Sequence, residues 1–418
     1  MSGVSESARR SDTLVVEEHS DVGPFSLTDA DYRMLDTVVN PREAGSTRVG
    51  IRHTREGDAY LKTTAFVGIV SLPDGPTLQI EPKVRVENLL RIIRYAFGSD
   101  LSILETTESL RSGGKFVDII AAVYLDELDD VLAKGLENSY VRKDGTERYL
   151  KGKLDTHRQL QRSPIAPVTF ECTYDDLTHD TPLNRVILRA TKQLANVVLD
   201  AQLATDLQER SQRLEEQISD VHVTSALAEQ IELNRLNSHY ETIHRLATNV
   251  LNHTFISDLA RGSRTSYSML IDMNDVFEKL VERAAMEVAK NHEEWTIEAQ
   301  ASSESLLRGP STVRMYPDIV FWKSGEPIVV ADTKCKTSRQ NADLYQVLAY
   351  QSSYDVPGIL FYPSQGGSIE SRYQVKGGSK LDLVELPVNP VAMNTTDFVK
   401  GVESKVEAAV SRLQDDGR

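Results

Sequence analysis

The fold of this chain is decided by residues 315–322, MYPDIVFW, and residues 328–334, IVVADTK. Both stretches are rich in β-branched and aromatic residues, and the KSGEP between them predicts a tight turn, so together they predict a β-hairpin. Each strand carries one aspartate, Asp318 or Asp332, although an unpaired carboxylate is costly in an apolar strand. Lys334 follows two residues after Asp332, so strand alternation places both side chains on one face.

These residue types suit metal-dependent hydrolysis of phosphodiesters. That reaction needs an activated water, in-line attack and neutralisation of the charge that builds on the phosphate. Magnesium prefers oxygen ligands and usually takes one or two protein carboxylates. We therefore expect Asp318 and Asp332 to hold Mg²⁺, for which Mn²⁺ can substitute, and Lys334 to orient the attacking water or contact the phosphate.

Two predicted helices flank the hairpin. Glu278 lies on an amphipathic helix over residues 273–290, beside the buried Phe277, and would complete the metal shell. Gln346 and Tyr350 are four residues apart on a helix over 341–353, so they share a face and would reach the site or the DNA backbone. Taken singly, Glu278 also suits a solvated helix face, and the other two suit packing or capping. The candidate catalytic residues are Asp318, Asp332, Lys334, Glu278, Gln346 and Tyr350, and the candidate metal ligands are Asp318, Asp332 and Glu278.

The whole chain is predicted to be an α/β (multidomain α+β) protein. Residues 1–24 are polar and acidic and predict a disordered tail. Residues 25–110 predict a β-rich domain, with strands over 65–72 and 77–84 and a helix over 87–97. Residues 111–262 predict a mainly helical region. Residues 263–418 predict a domain whose elements run α-β-β-β-α-β on a mixed sheet.

The charge balance bears on nucleic-acid binding. The formal net charge is −15, from 47 Lys and Arg against 62 Asp and Glu. Phosphate contact needs a local basic surface rather than a basic total, so the acidic total argues only modestly against a nuclease. Residues 140–163 are locally basic. They are interpreted as a solvated face, with contact to DNA phosphates or to an acidic partner as the alternatives.

Other features of the sequence indicate the cellular compartment and whether the chain binds nucleotides itself. Two cysteines far apart, Cys172 and Cys335, predict no disulfide framework. The sequence has no 18-residue apolar run and no apolar signal-peptide core, so we expect a cytoplasmic protein without a membrane partner. It also lacks the G-x-x-x-x-G-K-[ST] loop that cradles nucleotide phosphates, so another chain would supply any nucleotide energy.

The block formed by residues 315–336 and 343–350 resembles the PD-(D/E)xK nucleases, and specifically the McrC family. Four further stretches look like motifs of that family, so the resemblance covers roughly residues 60–365. They are DMNDVFE (272–278), DTPLNR (180–185), LKGKLD (150–155) and IEPKV (80–84).

The resemblance implies the endonuclease subunit of a modification-dependent (5-methylcytosine) restriction system, which is a type IV restriction endodeoxyribonuclease. Members act with McrB, a hexameric AAA+ GTPase that recognises methylated cytosine in double-stranded DNA and translocates the DNA. Their N-terminal and middle parts dock into that ring and stimulate GTP hydrolysis. By motif match, Asp318, Asp332 and Lys334 carry over as the catalytic set. The acidic net charge favours delivery of DNA by the partner over strong independent binding.

Two other functions fit the same residues. The first is a PD-(D/E)xK nuclease that works in DNA repair with a different motor. The second is a non-catalytic adaptor that stimulates a ring NTPase through its first 260 residues.

Overall fold

The structure is a computed structural model of the 418-residue chain. It describes residues 13–40, 46–55, 57–84, 86–97, 116–162, 169–257, 266–301, 305–307, 313–336, 338–364, 369–388 and 394–415. Contacts divide the chain into two compact units, one of residues 1–123 with 253–418 and the other of residues 124–252. The four-part division predicted from the sequence stays a prediction.

The strands and helices follow one another along the chain in a mixed order. The first are β1 (Thr13–Glu17), β2 (Asp21–Phe25), α1 (Asp29–Met34), a π-helical turn (Leu35–Val39), β3 (Val49–His53), β4 (Ala59–Thr63), β5 (Phe66–Ser71), β6 (Thr77–Glu81), α2 (Val86–Phe97) and α3 (Phe116–Lys134). The middle ones are β7 (Ser139–Glu147), β8 (Lys153–Leu154), α4 (Thr156–Arg162), β9 (Phe170–Thr178), α5 (Pro182–Val197), α6 (Ala201–Glu215), α7 (Ser225–Glu229), a 3-10 turn (Ser238–Tyr240) and α8 (Glu241–His253). The last are β10 (Thr254–Ser257), β11 (Ser266–Asp272), α9 (Met273–Lys290), β12 (Trp295–Ala299), β13 (Ser305–Leu307), β14 (Val313–Arg314), β15 (Ile319–Lys323), β16 (Glu326–Thr333), α10 (Asn341–Tyr354), β17 (Gly358–Pro363), β18 (Ser371–Gln374), β19 (Lys380–Leu386) and α11 (Thr395–Asp415).

A five-stranded sheet joins two distant parts of the sequence. Its order is β1-β6-β5-β11-β10, with β1 parallel to β6 and the other neighbours antiparallel. Gly68 on β5 has a φ of 138°, and a Cβ there would lie 2.0 Å from the Met269 carbonyl oxygen. Only glycine therefore lets β11 pair with β5 at this distance. The strands predicted at 65–72 and 77–84 are confirmed as β5 and β6.

Strand β1 corrects the expectation of a disordered tail over residues 1–24. Residues 13–17, TLVVE, pair with β6 from Thr13 opposite Thr77 to Glu17 opposite Glu81. Their β-branched side chains favour a strand, a preference that the acidic residues around them conceal. Strand β2 also falls in this stretch, and it belongs to a three-stranded sheet of order β2-β4-β3. Residues 1–12 of the predicted tail lie outside the described residues.

The unit of residues 124–252 combines helices with a small sheet. Helix α3 begins at Phe116, and Thr181 caps α5 with Pro182 in its first turn. Strands β7, β9 and β8 form an antiparallel sheet within residues 139–178, which the expectation of a mainly helical region did not include. Strand β7 is mostly exposed and β9 is buried only at Glu171 and Cys172, so these strands lack the apolar period by which a sequence indicates a strand.

A six-stranded mixed sheet carries the predicted hairpin. Its order is β12-β15-β16-β17-β19-β18, in which β17 lies parallel to both β16 and β19. The elements α9, β12, β15, β16, α10 and β17 follow one another along the chain and confirm the predicted order α-β-β-β-α-β, apart from the short pair β13–β14 before β15. Strands β18 and β19 and helix α11 extend this part of the fold beyond the prediction.

Both faces of the six-stranded sheet are buried along its central strands. Val320 and Val330 belong to an apolar cluster with Val347 of α10. The alternate residues Phe321 and Ala331 are also fully buried, and α9 and α11 contact strands of the sheet. Because side chains alternate between the faces of a strand, α10 covers one face and the other two helices cover the opposite one. No helix in the described ranges is long and apolar enough to cross a membrane.

Candidate active site

The two aspartates of the hairpin lie where β15 begins and β16 ends. The register places Ile319 opposite Ala331, so one further step brings Asp318 beside Asp332. Thr333 holds Asp318 in place, because its backbone N–H and its hydroxyl both donate to Asp318 Oδ2, each at 2.7 Å. The structure thus brings together the two carboxylates that the sequence predicted as metal ligands.

Asp332 is a buried carboxylate with an unused acceptor. Its side chain is 1% exposed, Lys334 Nζ forms an ion pair with Oδ2, and Oδ1 has no hydrogen-bond partner among the described residues. Burial and the negative charge of Asp318 raise the pKa of Asp332 to about 7, although Lys334 opposes the shift. A buried carboxylate without enough donors costs free energy, and such groups concentrate at functional sites.

Lys334 lies beside Asp332 as strand alternation predicts. Its side chain is 17% exposed, so the ammonium group is mostly covered but still reaches solvent. Its backbone N–H donates to the Phe361 carbonyl oxygen at 2.9 Å, which extends the β16–β17 pairing past the end of β16. The lysine is therefore carried by a fixed piece of backbone next to the two carboxylates.

Glu278 approaches the pair from α9. Burial and the charge of Asp318 raise the pKa of Glu278, which indicates that the two carboxylates are close. Gln300 Nε2 donates to Glu278 Oε1 at 2.9 Å. In the described part of the chain, no three His, Cys, Asp or Glu side chains lie close enough to hold a metal ion together. Glu278 is therefore near the site, and its role as a direct ligand stays a prediction.

The donor set suits a hard divalent cation. Adjacent aspartates supply carboxylate oxygens, and Mg²⁺ usually takes only one or two of these and keeps several of its waters. The Oδ1 atom of Asp332, buried without a donor, is the acceptor that a cation would satisfy. Asp318 and Asp332 are thus the residues that would hold Mg²⁺ or Mn²⁺ here.

Gln346 and Tyr350 reach the backbone that leads into Asp318. The Tyr350 hydroxyl accepts from Gln346 Nε2 at 2.7 Å and donates to the Tyr316 carbonyl oxygen at 3.1 Å. Tyr350 lies on α10 and is buried in the apolar cluster between α10 and the sheet. These contacts suit a packing role beside the site, and contact of either side chain with a DNA backbone stays a prediction.

Sequence reasoning missed a second acid–lysine pair. Lys336 Nζ lies 2.7 Å from Asp343 Oδ1, and Asp343 is buried on the first turn of α10. The charge of Asp343 also contributes to the raised pKa of Asp332, so this pair lies near the site. The signal for Asp343 was present but ambiguous, because an acidic residue in the first turn of a helix is common for electrostatic reasons alone.

The sheet formed by β7, β9 and β8, called the β7–β9 sheet below, exposes apolar side chains to solvent. Tyr140 is 72% exposed and Tyr149, in the turn after β7, is 82% exposed. The other exposed apolar residues on or beside this sheet are Val141, Leu150, Leu160 and Leu177. Exposed apolar side chains concentrated in one place indicate an interaction surface.

The basic residues of 140–163 are partly neutralised on the same sheet. Lys143 and Lys151 both pair with Asp176, at 2.8 Å and 3.0 Å. Arg162 pairs with Glu171 at 2.8 Å. These pairs favour the interpretation of a solvated face, and contact with DNA or with an acidic partner stays a prediction.

Comparison with solved structures shows a shared fold. The chain is similar to a chain of the refined half-complex from a tetradecameric assembly of Thermococcus gammatolerans McrB AAA+ hexamers with bound McrC, with a TM-score of 0.62 and 18% identity over 94% of this chain and 100% of that one. A cryo-EM structure of the Thermococcus gammatolerans McrBC complex matches with a TM-score of 0.46 and 20% identity, over 66% of this chain and 88% of that one.

Comparison of sequences gives the family. The chain is 21% identical over 325 residues to the type IV methyl-directed restriction enzyme EcoKMcrBC of Escherichia coli strain K12, which covers 71% of this chain and 91% of that protein. Residues 61–363, which include every candidate site residue, match the family described as McrBC 5-methylcytosine restriction system component. That match spans well over half of this chain, so the chain belongs to the McrBC 5-methylcytosine restriction system component family.

Proposed function

We propose that this chain is the McrC-like subunit of its restriction system, a Mg²⁺-dependent DNA endonuclease with a PD-(D/E)xK core. The observation that carries the proposal is the meeting of Asp318, Asp332 and Lys334 at one end of the hairpin. There a buried carboxylate keeps an oxygen without a protein donor among the described residues. Membership of the family supports the proposal, because the matched residues 61–363 contain all three side chains.

The residues divide the chemistry among them. A bound Mg²⁺ supplies charge neutralisation at the scissile phosphate. Asp318 and Asp332 would hold the cation, and the two hydrogen bonds from Thr333 fix the Asp318 carboxylate at the end of the hairpin. Lys334 orients the attacking water or contacts the phosphate from beside Asp332. The Lys336–Asp343 pair adds a second ammonium group near the path of the DNA.

The partner is an McrB-like AAA+ GTPase hexamer, and the substrate is double-stranded DNA that carries 5-methylcytosine. The solved assembly with the shared fold contains McrB AAA+ hexamers with bound McrC, and this sequence has no nucleotide-binding loop of its own. The exposed apolar residues of the β7–β9 sheet supply a docking surface for the ring. The net charge of −15 favours DNA delivery by the partner.

The test is reconstitution with the partner. The chain is co-purified with the product of the adjacent gene, which we expect to be an McrB-like AAA+ GTPase, and cleavage of methylated and unmethylated DNA is measured with Mg²⁺ and GTP. We expect the wild-type pair to cut methylated DNA, and the pair containing Asp332→Ala to bind the ring and stimulate GTP hydrolysis without cutting.

Each other outcome has a definite meaning. Cleavage by Asp332→Ala at the wild-type rate contradicts the catalytic assignment. A wild-type chain that stimulates GTP hydrolysis but never cuts with any divalent metal is an adaptor. Cleavage that needs a different motor and ignores methylation indicates a repair nuclease.

A further inference from the structure

Gln300 has an unusual backbone conformation at the edge of the candidate site. It directly follows β12 and has a φ of 46°, in the left-handed region that residues other than glycine rarely occupy. Such conformations persist where the surrounding structure holds them, and they concentrate at functional sites. Contacts of Gln300 with its neighbours should therefore hold this residue in the left-handed conformation.

The left-handed conformation changes where the side chain points. In a regular strand, Gln300 would share a face with Glu298, which lies opposite Val320. Val320 belongs to the cluster against α10, on the face away from α9. The break in alternation at Gln300 instead lets its amide reach Glu278, which is carried by α9.

Gln300 also holds the backbone of the first aspartate. Its N–H donates to the Asp318 carbonyl oxygen at 2.8 Å, which extends the β12–β15 ladder by one pair. Its side-chain Nε2 donates to Glu278 Oε1 at 2.9 Å. One residue thus contacts the main chain of one candidate carboxylate and the side chain of another.

We propose that Gln300 is a positioning residue of the cation site, which fixes Glu278 beside Asp318 through its amide and through its left-handed backbone. This inference rests on the proposed function. Glu278 would then contact waters of a bound cation, since no third carboxylate joins the aspartate pair in the described residues and Mg²⁺ usually keeps several of its waters. Residues that orient the ligands of a metal site typically affect metal affinity about 10–100-fold.

The experiment measures Mn²⁺ binding to the full chain without DNA, by the EPR signal of the free ion. Gln300→Gly keeps the backbone N–H and tolerates the left-handed conformation, but it removes the amide. Gln300→Ala also removes the amide but keeps the Cβ that disfavours the left-handed conformation, which the lost amide contact no longer holds in place. We expect Gln300→Gly to weaken Mn²⁺ binding about tenfold, and Gln300→Ala to weaken it further.

A double-mutant cycle identifies the residue through which Gln300 acts. Glu278→Gln alone should weaken Mn²⁺ binding by about the same factor as Gln300→Gly, and the double variant should show no further loss. The matched control is Ser324→Ala, because Ser324 has a φ of 51° in the turn between β15 and β16. That variant disturbs the same kind of backbone away from the site and should bind Mn²⁺ like the wild type.

The outcomes separate this inference from the proposed function. If the wild type cuts DNA with its partner and binds Mn²⁺, but Gln300→Gly binds Mn²⁺ as tightly as the wild type, the positioning role is wrong and the proposed function stands. Multiplicative losses in the double variant also overturn the role, because Gln300 would then act independently of Glu278. A wild-type chain that neither binds Mn²⁺ nor cuts DNA overturns both.

Discussion

The β15–β16 hairpin and the β7–β9 sheet are both antiparallel, but they differ in which side chains they bury and which they expose to solvent. In the hairpin, residues 329–331 are fully buried and Asp332 is 1% exposed. On the β7–β9 sheet, Tyr140 and Tyr149 are 72% and 82% exposed. One sheet places a carboxylate, Asp332, where water is excluded, and the other places apolar groups where water is abundant.

Each arrangement costs free energy in the isolated chain, and each therefore indicates a partner. A buried carboxylate with an unused oxygen is stabilised by a cation. Exposed apolar groups are stabilised by contact with another protein surface. The cation site and the docking surface should therefore be separable. Substitutions in the cation site should reduce cleavage without reducing partner binding, and substitutions in the docking surface should reduce partner binding.

The largest effect should come from the lysine of the hairpin. Lys334→Met removes the ammonium group beside Asp332, so cleavage with the partner should fall about 10³-fold while stimulated GTP hydrolysis stays unchanged. Lys323→Met is the matched control. Lys323 lies at the end of β15 that is far from Asp318, and it pairs with the exposed Glu294. Equal losses in the two variants would show that the ammonium group at Lys334 has no special role.

The next effect should come from the exposed residues of the other sheet. The double variant Tyr149→Ser with Leu150→Ser should weaken binding to the GTPase about 10–100-fold, because large apolar side chains dominate interface energies. Tyr345→Ser, which changes another exposed tyrosine on α10, is the control. Calorimetric titration of the partner gives the affinities, and an unchanged affinity in the double variant would remove the β7–β9 sheet from the interface.

A smaller effect should come from the support of Asp318. Tyr350→Phe removes the hydroxyl that contacts both Gln346 and the Tyr316 carbonyl oxygen, so unfolding should need about 1 kcal/mol less and cleavage should fall about tenfold. Adding Gln346→Ala should cost little more, because both side chains act through one contact. Full activity in Tyr350→Phe would mean that the hydroxyl does not position the site.

The last effect concerns the stability of the metal-free chain. The pKa of Asp332 is raised to about 7 from an ordinary value of 3.8, so between these two pH values the folded chain binds more protons than the unfolded one. Stability contributed by this group is therefore present at low pH and is lost as the pH rises toward 7. Asp332→Asn should remove that loss and raise Tm by about 2–6 °C near pH 8 in EDTA.

The same comparison at low pH is the internal control for this prediction. Below pH 3.8, Asp332 is mostly neutral in both the folded and the unfolded wild type, so the wild type and Asp332→Asn should melt at nearly the same temperature. A constant difference in Tm at every pH would show that the variant acts through packing rather than through the buried charge.

The hairpin site was predictable because its signal is local. Apolar strands with single aspartates, a tight turn and a lysine two residues after Asp332 all lie within residues 315–334, and strand alternation translates that spacing into a shared face. Helix α9 was predicted with its bounds, since its apolar residues follow the helical period and Asp272 precedes it as a cap.

What the sequence did not reveal depends on pairing between distant segments or on backbone conformation. Strand β1 is defined by its pairing with the distant β6, and β11 by its pairing with β5. The role proposed for Gln300 depends on its positive φ, and a glutamine in the sequence does not predict that conformation. Strand β7 is exposed along most of its length, so its sequence does not need the alternation of apolar and polar residues that predicts a half-buried strand.

The most direct test of the cation site is a crystal of the full chain grown with Mn²⁺, with the anomalous scattering of the metal recorded. We expect one anomalous peak at coordination distance, about 2.0–2.3 Å, from carboxylate oxygens of both Asp318 and Asp332, and no peak in crystals of Asp332→Asn. A Mn²⁺ ion bound elsewhere in the chain, or an empty site between the two aspartates at saturating Mn²⁺, would contradict the assignment of these residues as the metal ligands.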